Sequence, residues 1–126
     1  MKFCLFCFFF LANVAFGMGG NEFGPNGGYI KMPGAFHLEL MDSADTIKVY
    51  LLDMNIKNPT VEDSTVDVFL KNKEKIKLIC KPITNYFSCE KNKLNLKKFK
   101  EIVIHSRRQK AKGFEVSFKL PLELDK

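Results

Sequence analysis

Short runs in which apolar side chains recur at every second position constrain this chain more than any other feature. Ile47, Val49 and Leu51 form one such run, Val66, Val68 and Leu70 another, and Phe114, Val116, Phe118 and Leu120 a third. Successive strand side chains point to opposite faces, so a period of two marks a half-buried strand. No segment sustains a 3.6-residue period, a heptad or an internal repeat. Seven or eight such runs, spaced about 8–12 residues apart with turn signals between them, predict an all-β fold, a small antiparallel β-sandwich. The expected likeness to immunoglobulin domains is one of layering alone. The chain has no tryptophan to fill the place of the buried one in antibody domains.

Taken in order, Tyr29 to Met32 reads as a first short strand and Pro33-Gly34 as a turn. Phe36 to Met41 then alternates, with Phe36, Leu38 and Leu40 on one face and His37, Glu39 and Met41 on the other. Thr46 to Met54 is apolar on both faces, which places it in the middle of a sheet with Tyr50, Leu52 and Met54 needing cover. Ile76, Leu78 and Cys80 alternate inward, as do Phe87 and Cys89, and the two runs predict a hairpin. Lys91 to Lys100 reads as a connecting loop or a polar edge strand with Leu94, Leu96 and Phe99 tucked in. Ile102 to His105 is another strand, Arg107 to Gly113 a basic loop, and Phe114 to Leu120 a last strand ended by Pro121.

The first seventeen residues have the three parts of a secretory signal peptide. Lys2 gives the positive start, Phe3 to Ala12 the apolar stretch, and Ala15 and Gly17 the small residues at a cleavage site. The apolar run is far shorter than the ~20 residues a membrane-spanning helix needs, so no transmembrane segment is expected in the mature chain. The expected organisation is a signal peptide at 1–17, a glycine-rich flexible arm at 18–28 and a β-sandwich at 29–126. Cys4 and Cys7 lie in the apolar stretch and leave with it. Cys80 and Cys89 remain, and a pair of cysteines in an exported protein predicts one disulfide, closing the hairpin. Periplasmic or secreted space is the expected location.

Loss of Lys2 leaves 19 basic and 14 acidic side chains and a net charge of +5. That favours anionic surfaces, although an exported chain rarely meets nucleic acid, so nucleic acid is not an expected partner. The lysines and arginines from Lys91 to Lys112 suggest an anion-binding patch or, more simply, a solvated surface with protected strand edges. Nothing points to an enzyme. His105 and Ser106 are strand neighbours facing opposite ways, no phosphate-binding or dinucleotide motif is present, and the carboxylates are scattered through turns. Met32, His37 and Met41 flank one hairpin, with Met18 on the arm before it. Thioether and imidazole ligands select Cu(I), and these four are the candidate metal ligands. Positions 37 and 41 are about 13 Å apart at ~3.3 Å per residue, so Met32 is the better partner for His37.

The stretch Gly24 to Leu40, GPNGGYIKMPGAFHLEL, resembles a lead-in and strand of periplasmic adaptor subunits of heavy-metal efflux systems and of small periplasmic proteins related to them. That pattern is Gly-Pro-His-Gly-Gly followed by a Phe-x-Leu-Glu-Leu-type strand. Gly24, Pro25, Gly27, Gly28, Phe36, Leu38, Glu39 and Leu40 match it, and Asn26 stands at the position of the histidine. The resemblance implies an exported, non-catalytic binding or accessory module associated with copper or another soft metal. The alternative is an envelope protein-interaction module without a metal, working through the arm or an open sheet edge.

Overall fold

The computed structural model describes residues 23–123. The expected signal peptide and the start of the arm, including Met18, lie outside these residues. Ten strands follow in order: β1 (Tyr29–Lys31), β2 (His37–Asp42), β3 (Thr46–Leu52), β4 (Thr65–Lys71), β5 (Lys75–Lys77), β6 (Ile79–Ile83), β7 (Tyr86–Glu90), β8 (Glu101–Arg108), β9 (Ala111–Lys112) and β10 (Val116–Lys119). A 3₁₀ turn at Leu96–Lys98 is capped by Asn95, whose side chain accepts from the Lys97 N–H.

The strands form two antiparallel sheets. The first has the order β1-β2-β3-β7-β6 and the second β10-β8-β4-β5, with β9 paired to β8. This is the expected all-β sandwich. As the apolar content of both its faces predicts, β3 lies at the centre of its sheet. Between the sheets, Leu38, Leu40, Ile47, Val49 and Leu51 meet Val66, Val68, Leu70, Ile102 and Ile104, all buried. Each set alternates along its own strand, so the core is what the period-two pattern encodes. Cys80 and Cys89 stand directly opposite each other in the β6–β7 ladder and are disulfide-bonded.

Several boundaries differ from the sequence reading, each for a local reason. β3 stops at Leu52 and Met54 is 52% exposed. The chain turns away at Asp53, whose carboxylate accepts from the Asn55 and Lys57 N–H groups and from Asn58 Nδ2. β10 starts only at Val116, and Phe114 is 70% exposed; its N–H bonds the Pro33 carbonyl instead of a ladder partner. Ile76 to Cys80 is not one strand. β5 belongs to the second sheet and β6 to the first, and buried Leu78 makes the step between them with its N–H on the Val68 carbonyl. Lys91–Lys100 is a connecting loop and not an edge strand. β8 runs beyond His105 to Arg108 and turns back into β9 at Gln109, which has φ 55°.

Candidate functional site

The residues singled out from sequence cluster around β2, whose inner face carries Leu38 and Leu40 and whose outer face carries His37, Glu39 and Met41. The face assignment from alternation is correct, but outer does not mean exposed. Glu39 is fully buried. Its cover is the segment Gly24 to Gly28, expected to be flexible, which here is a closed loop. Gly24 donates to the Gly28 carbonyl at 2.7 Å and Gly27 donates to the Gly24 carbonyl at 2.9 Å. Pro25 supplies the fixed φ of the turn, and Gly27 supplies φ +82°.

This loop aims three donors at the Glu39 carboxylate. The Asn26 and Gly28 N–H groups reach Oε2 at 2.9 and 2.7 Å, and Asn26 Nδ2 reaches Oε1 at 2.9 Å. A carboxylate taken out of water requires such partners. Two of the glycines are there for space. A Cβ on Gly24 would stand 2.4 Å from the Glu39 side chain, and one on Gly28 would stand 2.5 Å from the Leu40 carbonyl. Asn26, at the resembled family's histidine position, thus spends its side chain on Glu39. Phe23 packs edge-to-face on Tyr29 at 5.3 Å and pins the loop's entry.

His37 and Met41 flank this closed unit on opposite sides. The His37 Nδ1 lies 3.2 Å from the Asp53 carbonyl; a carbonyl only accepts, so the proton of this bond is on Nδ1. The hydrogen bond from Asn58 and those from the Lys57 and Asn55 amides hold the Asp53 carboxyl below its usual range, with nearby Arg108 adding to them. Met32 follows the last β1–β2 ladder pair, Lys31 with Leu38, and His37 precedes it, so the two sit side by side at one end of the hairpin. Met32 is 53% exposed. Met41 is at the other end, beneath Gly28, lining a cleft with Tyr29 and Leu96. Register therefore puts Met32 at the His37 end of the hairpin and Met41 at the other.

Met54 was missed as a candidate because alternation assigned it to a covered strand face; it is exposed and adjoins the residue that holds His37. Among the described residues, no three His, Cys, Asp or Glu side chains converge in a metal-binding group. His105 pairs with Glu115 at 3.1 Å, with the Phe69 ring edge-on beside it, while Ser106 is buried with no partner for its hydroxyl.

Beyond this geometry, Tyr50 faces Glu39 across the β2–β3 ladder and packs on Tyr86 at 5.1 Å. Burial pushes the Tyr50 phenol up, with Tyr86 and Glu39 adding to the effect. Among the described residues, no helix is long and apolar enough to cross a membrane. No protein-family model matches this chain, and no curated protein or solved structure matches it.

Proposed function

We propose that this chain is an exported, non-catalytic binding or accessory module of the periplasm or extracellular space, with a soft-metal site for Cu(I) at the His37 end of β2. The observation that carries this reading is the His37 ring, oriented by its Nδ1–H bond to the Asp53 carbonyl. Imidazole ligands are commonly held in this way by a bond from the other ring nitrogen. Nε2 is the ligating atom, Met32 gives the first sulfur and exposed Met54 the second. A thioether-rich set of this kind favours Cu(I) over hard ions. Met41 is not a member, since Glu39 and its glycine loop intervene. The disulfide and the leader-like first seventeen residues support an oxidising location.

The test is competition for Cu(I) against a chromogenic chelator. The wild type should withdraw copper from the chelator, while His37→Ala and Met32→Leu should each weaken it by roughly tenfold or more, and Met41→Leu should not. A wild type that cannot compete defeats the metal reading and leaves the second one, an envelope protein-interaction module. That reading is favoured by exposed Ile76 and Ile79 at the sheet edges, while the glycine lead-in, folded onto Glu39, has a structural role.

A further inference from the structure

At the opposite end of β2 from His37, a cleft of about 650 Å³ opens between the edge of the first sheet, the 3₁₀ turn and the segment after β10. Its walls are mainly Tyr29, Met41, Leu96, Phe99, Leu120 and Leu122. Five of these, all but Met41, are only partly buried against the core. A volume of this size lies within the ~300–1,000 Å³ usual for small-molecule sites.

The two charged groups of the lining, Asp42 and Lys97, differ in what engages them. The Asp42 carboxylate is engaged by the Lys91 ammonium. Lys91 is itself buried and also bonds the Ser43 carbonyl. That leaves Lys97 as the open charge on the wall. Two lysine-rich segments far apart in sequence meet beside it: Asn72 Nδ2 donates to the Lys98 carbonyl at 3.1 Å, and the Lys100 N–H donates to the Lys71 carbonyl at 2.8 Å. Lys71 is within 4.0 Å of Glu101. Lys73, Lys97, Lys98 and Lys100 are exposed, and none of them forms a salt bridge among the described residues.

From this juxtaposition we infer that the cleft binds a single-chain anionic amphiphile of the fatty-acid type. The hydrocarbon chain lies against Leu96, Phe99 and Leu122, and the headgroup sits at Lys97 and Lys98. A small inorganic anion would leave the apolar walls wet, and a neutral hydrocarbon would leave the lysines without a counter-charge. Only a ligand with both parts uses both features. This site is independent of the copper reading, because Glu39 and its loop separate it from His37.

The experiment is calorimetric titration of the purified protein with laurate below its micellar concentration. Dodecanol, inorganic phosphate and phosphatidylglycerol vesicles serve as parallel ligands. Laurate should bind at one site, shift the Tyr29 and Leu122 resonances, and bind at least tenfold more tightly than dodecanol or phosphate. The exposed pair K97E/K98E should weaken laurate at least tenfold while the circular dichroism spectrum is unchanged. Leu96→Trp, which fills the cleft, should also weaken it. The inference is overturned if laurate does not bind, if dodecanol or phosphate binds as well, if K97E/K98E has no effect, or if only vesicles bind.

Discussion

β2 and β4 look alike in sequence and have different surroundings. Each alternates apolar and polar residues and carries one carboxylate on its outer face, Glu39 in HLELMD and Asp67 in TVDVFLK. Asp67 is exposed and pairs with Lys77 at 3.3 Å, a surface contact open to water. Glu39 is buried beneath backbone donors and has no cation among its hydrogen-bond partners. Alternation tells which way a side chain points, whereas what lies over it is decided elsewhere in the chain. Here a five-residue loop turns an ordinary outer face into a second, polar interior.

The comparison breaks most severely if a carboxylate is buried without such donors. Val49 lies in the core opposite Leu40, and Val49→Asp places a charge there with nothing to bond it. We expect loss of cooperative urea unfolding, whereas Lys119→Asp, at an exposed position of β10, should unfold normally. Equal losses would defeat the assignment of faces.

Next in size is removal of the caged carboxylate itself. Glu39→Ala leaves three donors unpaired and should cost roughly 2–4 kcal/mol. Asp67→Ala removes only an exposed ion pair and should cost about 0.5 kcal/mol or less. Chemical denaturation of both variants measures the contrast. A third variant keeps the carboxylate and disturbs the cage. Gly28→Ala sets a Cβ against the Leu40 carbonyl and should cost roughly 1–3 kcal/mol. Gly34→Ala meets only ordinary contacts, the nearest at 3.5 Å, and should change stability by about 0.5 kcal/mol at most.

These contrasts mark what could be read in the sequence. The core residues of β4 were legible because one parity of the run is apolar and the other largely polar, and the central place of β3 because both of its parities carry apolar residues. The disulfide was legible because two inward cysteines fell on neighbouring runs. The step at Leu78 was hidden because Ile76, Leu78 and Cys80 keep their period while the chain changes sheets. Met54 and Phe114 kept the parity of their strands beyond the last ladder bond, so a pattern of side chains overran a boundary set by backbone. The burial of Glu39 was illegible for a related reason, since its partners are two main-chain N–H groups and one asparagine thirteen positions away. Of the candidate metal ligands, the position of Met32 at the His37 end of the hairpin was legible from turn length. Met54 was not, because its position depends on the Asp53 loop.

The smallest expected effect sharpens the comparison with a third carboxylate, Asp53, which belongs to a partly exposed residue yet is well bonded. Its folded pKa lies below the ordinary 3.8, chiefly through the hydrogen bond from Asn58. The sign follows from linkage: its contribution is complete above the unfolded value and is lost as pH falls through the lowered folded value. Protection of the Lys57 amide from hydrogen exchange, compared as a ratio to Val49, should fall below the ordinary carboxylate range. Asp53→Asn should flatten that response. A ratio constant down to pH 2 would show that the carboxylate does not hold the loop.

The single-residue step at Leu78 has a mechanical meaning. It joins the outermost strands of the two sheets, so along that side the layers share a spine, and the Cys80–Cys89 bond rivets the spine to β7. The facing side is a fore-edge, closed by the Phe114–Pro33 hydrogen bond and by Lys31 over the Phe118 ring at 5.4 Å. A sandwich bound in this way is held by the chain itself along one edge and by non-covalent contacts along the other.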